Sequence, residues 1–178
     1  MKVGTNHFAN KNSSFYSVEK DLRIIVEKIM SSEPVLKMLY YPEQDCLRKP
    51  QLTPAQKLSL IGTHIKLIPT FLLDEDCPNY IVVYMDQFQP NPSNPEFRDN
   101  VIRIPIICHT KGWSLGDFKL RPLAIAGEID SMLNEQKFTG IGELHLMSCK
   151  RLLLNPELIG YELIYAAIHG DDDKLPPK

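Results

Sequence analysis

Paired cysteines are missing from this chain. Its four cysteines, Cys46, Cys77, Cys108 and Cys149, stand far apart, and no two have the Cys-x-x-Cys spacing of a zinc ribbon or a dithiol redox site. We therefore expect free thiols, most of them buried, and no metal or other cofactor.

Long apolar runs and a strong charge of one sign are missing as well. No segment approaches the roughly 20 apolar residues of a membrane-spanning helix, and the opening MKVGTNHFANKNSS has no apolar core of a signal peptide. A net charge of -2 and a pI near 6.2 give no general attraction to nucleic acid or to an anionic membrane. We expect a protein made in the cytosol, with no specific nucleic-acid recognition and no membrane partner.

The glycines of FTGIGEL, residues 138–144, do not form a phosphate-binding loop. Such a loop follows a strand and opens a helix, whereas here a helical pattern comes first and a strand-like pattern second. The sixth position of the glycine fingerprint is His145, not glycine. We expect Gly140 or Gly142 to end the helix and turn the chain back into the sheet.

Residues with catalytic chemistry are present but not in catalytic spacings. None of the five histidines belongs to a metal-binding motif, and the neighbours Cys108 and His109 point to opposite faces of a strand. Glu128 and Asp130 lie about 200° apart around a helix. The acidic runs 74–76 and 171–173 suit solvated segments better than cation sites. The sequence predicts no catalytic residue and no enzyme.

Periodicity predicts an α+β fold with a small antiparallel or mixed sheet of about four strands and helices packed on one face. The helices are expected at 17–31, 54–61 and 121–136, and the strands at 79–88, 100–109, 143–154 and 160–169. Thr53, Pro54 and Gln56 form a capping-box signature. Pro105 indicates that strand 100–109 lies at an edge or a bulge.

One domain is expected, at residues 17–169, with a helical insertion at 42–70. The polar residues 1–16 are predicted to be a mobile arm, and the residues 170–178 a flexible acidic tail.

Two long loops, 89–99 and 110–120, carry aromatic residues among proline, glycine and asparagine. Loop aromatics either fold back on their own core or anchor a partner, and both readings stay open. For the second reading the predicted interface residues are Phe88, Asn91, Asn94, Phe97, Arg98, Arg103, Trp113 and Phe118.

The order of elements resembles the tail-terminator and head-tail joining proteins of long-tailed bacteriophages, the family of the lambda tail terminator. The resemblance covers about residues 17–169. It is carried by VEKDLRIIVEKIM, the strand pair NYIVVYMDQF and NVIRIPIICH, the helix RPLAIAGEIDSMLNEQ, and the closing pair ELHLMSCKRLLL and GYELIYAAIH. The chain is longer than the smallest members of that family and is not strongly acidic.

The resemblance implies a structural protein of the virion neck, assembled in the host cytoplasm. Its partners would be other copies of itself in a ring, commonly a hexamer, the tail-tube protein, and the connector or adaptor proteins of the head. The ring would stop growth of the tail tube and join it to the head. Two alternatives stay open: a head-completion adaptor, and a small cytosolic ligand-binding α+β domain.

Overall fold

The computed structural model describes residues 15–68, 79–90, 98–138 and 142–169. The α-helices are α1 (Phe15–Met30), α2 (Glu33–Tyr40), α3 (Pro54–Ser59) and α4 (Arg121–Leu133). Two 3-10 helices span Cys46–Arg48 and Thr110–Gly112. The strands are β1 (Ile65–Lys66), β2 (Asn79–Val82), β3 (Tyr84–Pro90), β4 (Arg98–His109), β5 (Lys137–Phe138), β6 (Gly142–Leu153) and β7 (Leu158–His169).

The seven strands form one mixed sheet that curls into a half-barrel. The strand order is β1-β2-β4-β7-β6-β5, with β3 paired to β4 beside β2. Only β1 and β2 are parallel; the other pairs are antiparallel. The predicted four-strand sheet with helices on one face is therefore wrong. The strands β1 and β5, at the two ends of this order, have two residues each and are too short to leave a periodic signal in the sequence.

Of the two positions predicted for Pro105, an edge or a bulge, the edge is wrong. β4 is central, with β2 and β3 along one side and β7 along the other. The register that pairs Ile81 with Ile106 also pairs Tyr84 with Arg103. The interruption between β2 and β3 therefore lies opposite Pro105, which has no N–H to donate. The central sheet accommodates this proline by breaking one ladder.

Local capping signals explain where two of the helices begin. The Thr53 hydroxyl accepts a hydrogen bond from the Gln56 backbone N–H at 3.3 Å, and the Gln56 side chain accepts from the Thr53 N–H at 2.9 Å. The capping box predicted for α3 is confirmed. At α2, the Ser32 hydroxyl accepts from the Val35 N–H.

The turn after α4 uses different residues from those predicted. The helix ends at Leu133, and Glu135 has a φ of 57°, the left-handed conformation that reverses the chain. Gly142 opens β6 with a φ of 81° and does not end the helix. Gly140 lies outside the described residues.

The main core fills the space between the helices and one face of the sheet. It joins α1, α2 and α4 to alternate residues of the central strands, including Ile102, Ile104, Leu163 and Tyr165. A smaller cluster of Tyr80, Val82, Ile107 and Leu158 is buried on the other face. Because both faces of the middle strands are buried, the surfaces left for partners lie at the rim of the sheet.

Candidate interaction surfaces

The outer edge of β6 is one of two long unpaired strand edges in the described part of the chain; the other is the outer edge of β3, Tyr84–Pro90. The short strand β5 covers only Glu143 and Gly142. The next positions are satisfied by the turn, since the Leu144 N–H donates to the Gln136 carbonyl at 3.2 Å and the Leu146 N–H to Asn134 Oδ1 at 2.9 Å. From residue 147 to residue 153 no described strand pairs with this side. We call residues 147–153 the open edge.

The open edge begins at a β-bulge and is basic. The register with β7 shifts between Leu146 and Ser148, which leaves Met147 as the extra residue, 65% exposed. Lys150 and Arg151 are exposed at its centre, and Leu153 is 59% exposed at its end. Bulges and lysines commonly protect edge strands from pairing with other chains. Seven consecutive residues that are unpaired on their outer side still offer a template for another strand.

Phe118 stands at the tip of a strained turn. Asp117 and Phe118 have φ values of 62° and 60°, and the Leu115 N–H donates to the Lys119 carbonyl across the turn at 2.8 Å. Such a turn normally takes glycine or asparagine, because side chains with a Cβ are disfavoured there. Phe118 is fully exposed. A large aromatic side chain held in solvent on a strained backbone indicates a contact surface.

Two more apolar side chains are exposed beside this turn in the sequence. Leu120 is the N-cap of α4 and Leu123 lies in its first turn; they are 39% and 44% exposed. We call Phe118, Leu120 and Leu123 the apolar tip. A second exposed apolar group, Leu58, Ile61, Leu67 and Ile68, lies around α3 and β1.

Arg103 does not lie at an edge. It projects from central β4 on the face opposite the main core, where its guanidinium contacts Asp86 at 2.7 Å and Glu162 at 3.0 Å. Burial and the neighbouring Glu162 raise the pKa of the Tyr84 hydroxyl, which lies 3.5 Å from that carboxylate. These contacts tie β3, β4 and β7 together on this face.

The other predicted interface residues separate into two groups. Trp113 packs against the main core, half-buried, with its ring centroid 6.5 Å from that of Tyr161. Of the two loop aromatics that can be compared, Trp113 therefore folds back and Phe118 does not. The side chains of Phe88 and Arg98, and all of Asn91, Asn94 and Phe97, lie outside the described residues.

Arg121 and Tyr165 are buried polar side chains with structural partners. Arg121 is fully buried and donates to backbone carbonyls around the end of α2. Burial raises the pKa of the Cys108 thiol to about 12. Burial and the hydrogen bond to Asp130, 2.9 Å away, raise the pKa of Tyr165. The Cys108 thiol and the Tyr165 hydroxyl are therefore neutral groups of the core.

Cys46 and Cys108 are free and buried, whereas Cys149 is free and exposed on the open edge. Cys77 lies outside the described residues. Among the residues that the structure describes, no group of three or more His, Cys, Asp and Glu residues is placed to hold a metal ion. No described helix has the length and apolarity needed to cross a bilayer.

The chain matches the model of a known protein family. The YomW family model matches residues 32–167, which is most of the chain. This protein belongs to the YomW family. The family is one of Bacillus phage SPBc2-like prophages, which indicates that the chain is of phage origin. No curated protein matches it.

The matched region begins at the N-cap of α2 and ends in β7, so it contains all but the last two residues of the sheet, with the open edge and the apolar tip. Sequence reasoning found Phe118 but missed the open edge. The signal was present in MSCKRLLL, where two basic residues interrupt an apolar strand, a pattern typical of edge strands.

Proposed function

We propose that this protein is a structural component of a phage virion neck, whose copies associate into a ring that ends the tail tube and joins it to the head connector. The observation that carries the proposal is the open edge of β6. An unpaired strand in a chain of phage origin gives each copy a surface that a neighbour can complete.

A ring requires contacts between two different surfaces of the same chain. Heterologous contacts of this kind close into rings when the rotation between copies divides a full turn. The open edge on β6 can supply one of these two surfaces. The apolar tip is a separate surface, on the turn before α4 and in the first turn of that helix. We assign the open edge to contacts between copies and the apolar tip to the tail tube or the connector.

The resemblance of the element order to tail terminators supports this role and a hexameric ring. The described residues offer side chains for assembly rather than for bond breaking: their perturbed thiol and phenol groups are held neutral, and their buried guanidinium is bound to backbone carbonyls. We therefore propose a non-enzymatic protein that works within the virion after assembly in the host cytoplasm.

The experiment that tests the proposal uses the purified chain with the tail-tube and connector proteins of the same phage. Light scattering gives its mass alone and with each partner, and electron microscopy gives the length of the tubes. We expect a ring-sized species, formed alone or on tube ends, and tubes that stop growing. A chain that binds the connector but never the tube would be a head-completion adaptor. A monomer that binds neither would overturn the proposal.

A charge-reversed variant links the activity to the open edge. Lys150→Glu with Arg151→Glu reverses the exposed charge without touching the core. We expect it to weaken assembly while its free energy of unfolding stays within about 0.5 kcal/mol of the wild type. Lys20→Glu, an exposed change on α1, is the control and should assemble normally.

A further inference from the structure

We propose that the open edge of β6 takes the acidic C-terminal segment of a neighbouring copy, with Asp171, Asp172 and Asp173 against Lys150 and Arg151. The inference rests on the ring proposed above and names the contact that joins its subunits. Residues 147–153 are the receiving surface, and residues 170–178, outside the described part of the chain, are the segment that binds.

Charge is the first reason. Lys150 and Arg151 are exposed at the centre of the open edge, one on each face of the strand, and neither takes part in an ion pair among the described residues. Asp171, Asp172 and Asp173 are the densest acidic run after the end of β7. Opposite charges set the register of an added segment, and they speed its encounter with the edge.

Length is the second reason. The open edge has seven residues, which at about 3.3 Å per residue span roughly 23 Å. The C-terminal segment has no proline before Pro176 and then has two in succession. Proline cannot donate to a ladder, so the segment that can pair ends at Leu175. Residues 170–175 extended span about 20 Å, which matches the edge.

The position of the end of β7 shows why the acidic segment must come from a neighbouring copy. Lys150 pairs with Glu162, and β7 continues in the opposite sense to His169. Seven residues separate Glu162 from His169 (169 − 162), or about 23 Å along the strand. Asp171 to Asp173 follow His169 by only two to four residues, at most about 14 Å, and the chain must also reverse. Its own carboxylates therefore fall short of Lys150 and Arg151, whereas those of an adjacent subunit have no such limit.

Extended backbone on an edge strand offers hydrogen bonds as well as charge. Alternate residues of the open edge direct an N–H and a carbonyl away from β7, and an added strand satisfies both. The bulge at Met147 bends the strand at one end of the open edge. The contact is head to tail, since the donor end of one copy meets the edge of the next, as a closed ring requires.

Substitutions that swap the charges of the acidic segment and the open edge test the inference. The measurement is light scattering over a concentration series, in the presence of tail tubes. Asp171→Lys with Asp172→Lys and Asp173→Lys should raise the concentration needed for assembly about tenfold, as should Lys150→Glu with Arg151→Glu, a change of ~1.4 kcal/mol. Combining all five substitutions should restore assembly. If the two effects on the concentration needed for assembly simply add in the combined variant, the acidic segment does not pair directly with Lys150 and Arg151.

A disulfide trap tests the same contact covalently. Asp172→Cys places a thiol in the segment, and Cys149 is already exposed on the open edge. Under mild oxidation we expect covalent ladders of chains, which disappear when Cys149→Ser is added. A monomer closed on itself would show that the segment binds its own edge, and the inference would fail.

Truncation separates this inference from the proposed ring. A chain that ends at residue 169 keeps every described residue and should fold normally while losing assembly. If the truncated chain still forms rings that stop tube growth, the ring stands and the segment is not its joint. If neither the full chain nor the truncated chain assembles with tubes, both proposals fall.

Discussion

Arg121 Nη1 lies 2.7 Å from the carbonyl oxygen of Tyr41, the residue that caps the C-terminus of α2. The same guanidinium donates from Nε to Gly112, from Nη1 to Met38, and from Nη2 to Pro42 and Glu43. All five N–H groups of a fully buried arginine are therefore used, and the acceptors are backbone carbonyls rather than carboxylates. One side chain fixes α4 against the end of α2 and the chain that follows it.

Replacing Arg121 by lysine should destabilise the protein by about 3 kcal/mol or more. An ammonium has three donors and a different shape, so carbonyls in the buried site lose their partners. The measurement is the urea unfolding midpoint. Arg23→Lys is the control, because Arg23 forms an exposed ion pair with Glu27. Its free energy of unfolding should change by less than about 0.5 kcal/mol. Equal midpoints for Arg121→Lys and wild type would contradict the role of the guanidinium.

Gly160 should not tolerate alanine. It lies in β7 beside β4, and a Cβ at this position would stand 1.7 Å from the Ile106 carbonyl oxygen, which is backbone and cannot move aside. We expect Gly160→Ala to lower the free energy of unfolding by at least about 2 kcal/mol, measured by thermal unfolding. Gly127→Ala on the exposed side of α4 meets nothing within 4 Å and should instead stabilise by about 0.5 to 1 kcal/mol.

Local signals in the sequence located most of the long elements. Apolar spacing and caps placed α1, α3 and α4 within a few residues, because those signals come from neighbouring positions. The order of the strands in the sheet and its curl depend on contacts between distant segments. No local pattern records that residues 65–66 join the sheet beside β2.

Pro105 shows why the candidate site was only partly predictable. A proline in a strand usually indicates an edge or a bulge, so the sequence favoured one of these two positions for strand 100–109. The fold breaks the facing ladder and keeps β4 in the centre, which leaves the free edges to β3 and β6. Phe118 was found because an aromatic in a polar loop is visible in the sequence. Its left-handed backbone was not visible.

Glu33 should make stability depend on acid pH. Burial raises its pKa, but Lys57 at 2.6 Å and the Leu52 N–H at 2.8 Å outweigh burial, so the folded pKa lies below the usual 4.5. A carboxyl with a lowered folded pKa stabilises above its unfolded pKa, and this stabilisation is lost as the pH falls through the folded pKa. Urea midpoints of wild type and Glu33→Gln should therefore differ at pH 7 and converge as the pH falls below 4.5 and through the lowered folded pKa. A gap that is constant with pH would rule out the carboxylate as its cause.

Phe118→Gly should separate fold from assembly. Glycine adopts a φ of 60° without strain, and Phe118 buries nothing, so thermal stability should equal or exceed that of the wild type, by up to about 1 kcal/mol. If the apolar tip docks on the tube or the connector, the same change should weaken that binding, measured by co-sedimentation. Trp113→Ala is the comparison: its half-buried ring packs on the main core, so stability should fall by about 2 kcal/mol. A Phe118→Gly protein that gains stability and binds both partners as the wild type does would show that the tip has no docking role.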